Sequence, residues 1–400
     1  MANVEIPIPA VRNTGNSHLP AYQSPHLIAT YSHIADRSIV HNDASMSYYK
    51  GAHVGDDLKA GYGNFVERDP LLEEHLDGLC EALLRFRQNG GRMKSGAIVT
   101  FRGMLTRLLV AAFTDRDSWE MNALAFDGNV YLEDHVTRDA KMKRQEEEKS
   151  WAQQSYFGYS FEAFATTDTK PKTGKAAADK VKKKKRPSDI SVNTNVQWCC
   201  VVKGKIGNVR LYMGGEVDCV EGEWQKDMRQ CVELKTNMAM ESQRQRSNFE
   251  RKLMKHWAQS YLLGVPRIEI GFRDAQGFLT GTETYQTSQI PRIIHQTPKA
   301  PWCAVACLQS LEELTDRLME VLLPTDPIPQ WKSDGADASN LPQPSAWRIS
   351  FHPNRGLSLR NMGSSIPDAT PDSISRWGFL PTAFVRQMLE LDKAAAGPQV

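Results

Sequence analysis

Residues 214–236 read GGEVDCVEGEWQKDMRQCVELKT, and this stretch decides the fold. Glu216-Val217-Asp218 and Glu233-Leu234-Lys235 each alternate polar with apolar residues, on either side of a polar turn over 221–227. In a strand, side chains alternate between the two faces of the sheet, so each triplet sends its polar groups one way and its valine or leucine the other. The expectation is two strands, 209–220 and 230–236, pairing so that three acids and one lysine converge on one face. Three carboxylates in one place repel one another strongly. Hard oxygen donors suit Mg²⁺ or Mn²⁺ as the remedy. Either triplet alone would read as solvated alternation on an exposed sheet. The pair, on neighbouring strands, is more specific.

Working outward, 196–202 reads as a preceding strand and 97–101 as another, ending at Phe101-Arg102-Gly103. Residues 123–132 look like a strand broken by a turn at Asp127-Gly128, and 138–150 like an exposed connection or helix. Asp69-Pro70 has the form of a helix start. Leu71, Leu72, Leu76, Leu79, Leu83 and Leu84 then follow at helical spacing until Asn89-Gly90-Gly91. A long helix is expected over 247–263, closed by Gly264 and Pro266, followed by a strand over 267–272. An amphipathic helix over 308–323 ends at Pro324. No internal repeat is visible. The pattern predicts a single mixed α/β (α+β) domain of mixed sheets flanked by helices over 26–392. An extended N-terminal arm over 1–25 precedes it and a tail over 393–400 follows.

The 400 residues are 40% apolar and 24% charged, ordinary for a globular protein. No run approaches the roughly 18 apolar residues that span a bilayer, so no membrane association is expected. The N-terminus carries no basic and apolar leader pattern. The seven cysteines form no CxxC pair and read as reduced thiols in an intracellular protein. The net charge of +2 conceals an uneven distribution: residues 170–186 hold nine bases and one acid. The rest has 40 bases against 46 acids, a net charge of −6. An acidic body does not coat nucleic acid broadly; one that handles RNA must do so at a local site, where clustered carboxylates need cations. Residues 166–195 are too poor in apolar groups to offset their ordering entropy, so a disordered basic insertion is expected there. Its Lys182-Lys183-Lys184-Lys185-Arg186 reads as a nuclear localisation signal. Residues 333–345 read as a loop.

Four further positions carry chemistry. Glu162 closes the aromatic run Phe157-Gly158-Tyr159-Ser160-Phe161, where an idle surface acid would be out of place. Lys255 and Gln259 lie four apart, on one face of the long helix. Arg102, at a strand end beside a glycine, can present a bidentate fork to phosphate.

The acid-acid-lysine arrangement resembles that of the PD-(D/E)xK nucleases. More specifically, TFRGMLTRLL, FGYSFE, GGEVDC, VELKT and KHWAQSYLLGVPRIEIGFRD, in that order over most of residues 97–274, resemble the RNA 5′-end decapping nucleases of the DXO type. The nearest resemblance is to the nuclear fungal branch that partners the nuclear 5′→3′ exoribonuclease. The resemblance implies Glu162, Asp218 and Glu233 as direct metal ligands, Glu216 as a ligand directly or through water, and the Leu234 carbonyl as another. Arg102, Lys235 and Gln259 would hold the RNA 5′ end, with Lys235 also catalytic. Two divalent ions, Mg²⁺ or Mn²⁺, are implied. So are pyrophosphate release from 5′-triphosphate RNA, removal of incompletely methylated or NAD caps to leave 5′-monophosphate RNA, and a nuclear location. The alternatives left open are an additional 5′→3′ exoribonuclease activity, a mainly non-catalytic role stabilising the exoribonuclease, and a DNA endonuclease. The strand 268–272 and the helix around Leu308 are candidate surfaces for the protein partner.

Overall fold

A computed structural model of the chain describes all residues except 1–2, 10–18, 150, 171–185, 298, 334–339, 365–373 and 397–400. Two mixed sheets carry the architecture. The ten-stranded sheet runs Asn3–Ile6, Gly356–Gly363, Ala346–His352, Trp119–Phe126, Asn129–His135, Ala97–Phe101, Val209–Glu216, Gln197–Ile206, Tyr22–His33 and Ile39–Val40. The six-stranded sheet runs Leu279–Gln286, Arg267–Arg273, Cys231–Met238, Cys219–Val220, Tyr48–Tyr49 and Thr166–Thr167.

Among the described residues, three apolar cores result. The largest joins one face of each sheet through helices Arg102–Val110, Gln243–Leu263 and Ala304–Leu322, with Leu105, Trp257 and Leu311 at most 1% exposed. The second covers the outer face of the larger sheet with helices Asp77–Gln88 and Thr382–Ala396. The third covers the outer face of the smaller sheet with helix Ala152–Ala165, which brings Phe157, Phe161 and Phe164. The helix Gln243–Leu263 is capped as its ends demand. Ser242 and Gln245 form a reciprocal capping box, and Gly264 closes the last turn at φ 76°.

Several expectations need correction. The first helix begins at Asp77, not at Asp69-Pro70. Asp69 Oδ1 accepts from Leu71 N–H at 2.9 Å, so the same side-chain chemistry makes a local turn instead of a helix start. The N-terminal arm is partly built into the fold, since Asn3–Ile6 pairs with Gly356–Gly363. The insertion is shorter than 166–195: Ile190 and Val192 are buried in the third core, and Thr166–Thr167 pairs with Tyr48–Tyr49. Residues 171–185, including all but the last residue of the basic run, lie outside the described residues. The final helix continues to Ala396, past the expected start of the tail. Within the candidate partner surfaces, the side chains of Ile268, Ile270 and Leu308 are buried in the core. All seven cysteines are free, and among the described residues no helix is long and apolar enough to cross a membrane.

Candidate active site

The site forms where the chain leaves one sheet for the other. Glu216 is the last residue of its strand in the ten-stranded sheet, and Cys219 begins a strand of the six-stranded sheet. Val217 and Asp218 are the crossing, so the expected single strand over 209–220 is two. The two acids therefore straddle a seam instead of sharing one strand face. The preceding glycines make the crossing possible. A Cβ on Gly215 would lie 2.6 Å from Leu263 Cδ1 and 3.2 Å from Arg102 Cβ, and one on Gly214 would lie 2.9 Å from Phe101. Only bare backbone passes beneath these side chains.

Arg102 arrives from the neighbouring parallel strand, whose Phe101 pairs with Gly214. Its helix starts at once, which holds the guanidinium at the strand end. On the smaller sheet, Cys219 and Val220 pair with Val232 and Cys231. This places Asp218 beside Glu233, and Leu234 N–H donates to Asp218 Oδ2 at 2.6 Å. The expected alternation holds here: Leu234 sinks into the third core while Glu233 and Lys235 face the other way. Glu162 comes from helix Ala152–Ala165, seated against the same strand.

Glu233, 1% exposed, is bound from two sides. Arg102 Nη1 donates to Oε2 at 3.1 Å and Lys235 Nζ to Oε1 at 2.6 Å. Lys235 Nζ also donates to the Leu234 carbonyl at 3.1 Å and lies 3.9 Å from Asp218 Oδ2. Gln197 Nε2 donates to Glu216 Oε2 at 2.8 Å. The electrostatics follow from this layout. Burial would raise Glu233, but Arg102 and Lys235 outweigh it and hold its carboxyl down to about 2. Burial and then Asp218 push Glu216 up to about 7, and burial and then Glu233 push Asp218 up to about 6. Glu162 is driven well above the usual carboxylate range, by burial and then by Asp218. Burial works against Arg102 and Lys235, yet the acids around them raise both. Asp218 remains 12% exposed, so water still reaches this shielded recess.

Fully ionised, four carboxylates against one guanidinium and one ammonium leave two uncompensated negative charges. That donor set suits a hard divalent cation. Among the described residues no three acidic, histidine or cysteine side chains are already gathered for coordination. The hydrogen bonds above explain this, since Glu233, Asp218 and Glu216 each turn an oxygen to a protein donor. The four acids are nonetheless close enough for each to perturb its neighbours, and that mutual repulsion is the stronger sign of a cation site.

The structure thus brings Glu162, Glu216, Asp218, Glu233, Lys235, Leu234 and Arg102 together. Gln259 is half-buried on the long helix, three residues beyond His256 and so on the same face. Burial and the nearby Lys235 hold the His256 imidazole down to about 3, which keeps it neutral. Lys255 departs from expectation: it is exposed and lies 3.8 Å from Asp117. Sequence reasoning missed His256, Gln197 and Arg37. The His256 signal was available, because it adjoins Lys255 in the same motif. A cavity of about 700 Å³ opens beside Glu216, lined also by Arg37, Glu74, Arg68, His75 and Phe101.

A family model described as RAI1 like PD-(D/E)XK nuclease matches residues 23–385. The decapping nuclease RAI1 of Cryptococcus neoformans is 39% identical over 398 residues, covering 96% of this chain and 99% of that protein. The human decapping and exoribonuclease protein is 32% identical over 324 residues, covering 77% of this chain and 78% of that one. A crystal structure of Scheffersomyces stipitis Rai1 in complex with (3′-NADP)+ and calcium ion superposes with a TM-score of 0.72 at 27% identity, over 91% of this chain and 94% of that one. Candida albicans Rai1 in complex with pU5-Mn2+ reaches a TM-score of 0.77 at 23% identity over 98% and 100%, a likeness in fold.

Proposed function

This chain belongs to the RAI1-like PD-(D/E)XK nuclease family, and from that premise we propose that it releases pyrophosphate from 5′-triphosphate RNA and removes incompletely methylated or NAD caps. The chain is a decapping nuclease, a hydrolase acting on RNA 5′ ends. Each of the proposed reactions leaves a 5′-monophosphate. The observation that carries the reading is the four-carboxylate recess at the seam, with Arg102 and Lys235 inside it.

Glu162, Glu216, Asp218, Glu233 and the Leu234 carbonyl would hold a pair of divalent ions, Mg²⁺ or Mn²⁺. When bound, such ions supply Lewis acidity and an activated water. The calcium in the Scheffersomyces relative supports a divalent cation. Arg102 is held by Glu233 through Nη1, and its remaining donors would take a phosphate oxygen. Lys235, kept protonated by the surrounding acids, supplies fixed positive charge where negative charge develops. Gln259 shares a helix face with His256, which lies near Lys235, and would position the 5′ nucleotide.

The deciding assay sets triphosphate, unmethylated-cap, methylated-cap and NAD-cap RNAs side by side with Mg²⁺ and with Mn²⁺. Release of pyrophosphate or an intact cap from the first, second and fourth supports the reading. Release from none of them contradicts it. The name of the human relative favours a second activity, 5′→3′ shortening of 5′-monophosphate RNA, which the same gels would reveal as a ladder. A nuclear location and a nuclear 5′→3′ exoribonuclease as protein partner complete the proposal. The basic run at 182–186 supports the first, and the resemblance to the fungal branch supports the second.

A further inference from the structure

A chain of hydrogen bonds leads away from the recess along the wall of the adjoining cavity. Gln197 Nε2 donates to Glu216 Oε2 at 2.8 Å, and Gln197 Oε1 accepts from Arg37 Nη1 at 2.5 Å. Arg37 then grips Glu74 with two parallel bonds, Nε to Oε1 at 2.5 Å and Nη2 to Oε2 at 2.9 Å, and Nη1 also reaches the Asn195 carbonyl at 2.9 Å. Arg68 closes the far end, with Nη1 3.3 Å from Glu74 Oε2. All five side chains line the cavity.

The order of donors and acceptors along this chain is forced. An amide can usually be turned end for end without visible consequence. Here a guanidinium has only donors, so Arg37 must meet the amide oxygen, and the amide NH₂ is left to face Glu216. Glu216 Oε2 is consequently occupied as an acceptor, while Oε1 remains for the recess. Arg37 itself is held in place by its backbone. It sits at φ 69°, in the left-handed region that non-glycine residues adopt sparingly, within the tight turn that joins Tyr22–His33 to Ile39–Val40. Gln197 is fixed at the start of its strand, paired with His33 on one side. Its strand also pairs with that of Glu216, through Cys199.

We propose that Gln197, oriented by Arg37 and Glu74, is a positioning residue that sets Glu216 to meet a divalent cation through a single oxygen. The inference rests on the metal-binding reading of the recess. Without the amide, Glu216 is free to rotate and to share both oxygens, and the ligand geometry is lost. Partners that orient ligating carboxylates are worth roughly 10- to 100-fold in metal affinity.

Mn²⁺ binding to the full chain, measured by calorimetry without RNA, tests this. Gln197→Leu is expected to weaken binding roughly 10- to 100-fold. In a Glu216→Ala background the same change is expected to cost nothing further, because its route to the metal through that side chain has been removed. Gln197→Met, closer in shape, serves the same purpose if the leucine variant does not fold. A loss of equal size in both backgrounds, or no loss at all, overturns the positioning role. Failure of the unaltered protein to bind Mn²⁺ overturns the metal-site reading and this inference with it, and so is distinguishable from failure of the relay alone.

Discussion

Arg102 Nη1 meets Glu233 Oε2 at 3.1 Å across the seam between the two sheets. The arginine opens the helix that directly follows a strand of the larger sheet, and the glutamate belongs to a strand of the smaller one. One ion pair thus ties the two sides of the recess together and, with Lys235, keeps its buried Glu233 ionised.

Arg102→Leu should therefore cost both stability and charge. Glu233 would keep only Lys235, and its carboxylate would be left under-compensated in a buried place, at about 2–3 kcal/mol. Arg102→Lys would retain the charge without the fork and should fall between. Urea denaturation of the three proteins measures this. An Arg102→Leu protein as stable as the parent would mean the pair contributes nothing.

Stability should respond to pH through the same cluster. In the protein without added metal, Glu216 and Asp218 carry pKa values near 7 and 6, above those of an unfolded chain. Between about pH 4 and 7 the folded state holds protons that the unfolded state has released. Their contribution to stability is thus present at low pH and is lost as pH rises through those values. A divalent cation replaces the protons, so the rise in Tm produced by Mn²⁺ should grow from pH 5 to pH 8. Thermal melts with and without Mn²⁺ at each pH check this. A shift largest at pH 5 would be the wrong sign.

Gly271 tests how the helix that carries Glu162 is seated. A Cβ there would lie 2.5 Å from Phe161 Cε2, and Phe161 adjoins Glu162. Gly271→Ala is predicted to cost about 1–3 kcal/mol through overpacking. It should also weaken Mn²⁺ binding by displacing Glu162. Calorimetry and denaturation on one sample would show both effects, and unchanged metal affinity would detach the helix seat from the site.

The proposed partnership with an exoribonuclease predicts separable functions. Glu216→Ala with Asp218→Ala should leave any stabilisation of a 5′→3′ exoribonuclease intact, because both acids lie within the recess. Half-life of the partner's activity at raised temperature is the readout. Loss of the effect in the double variant would place the partner at the recess itself.

Part of this was legible in the sequence for a plain reason. Glu233-Leu234-Lys235 alternates because Leu234 is needed in the core, and strand period alone then aims the other two together. Alternation cannot reveal whether a strand continues or leaves for another sheet, so the crossing at Val217-Asp218 was read as one strand. The signal lay in Gly214-Gly215, which make room for Leu263 and Arg102. Gln197 and Arg37 reach the site through pairing between distant strands, and no local pattern marks them. Ile190 and Val192 were hidden for the opposite reason. Two isolated apolar residues in a polar segment do not register as a core contribution, yet both fill the third core.

Pyrophosphate release from 5′-triphosphate RNA, followed as Mn²⁺ is titrated, separates the unaltered chain from the Glu216→Ala, Asp218→Ala double variant. The recess described here predicts metal-dependent release that saturates in the first and is lost in the second, with the fold retained. Release by the double variant at the parent's rate would contradict it.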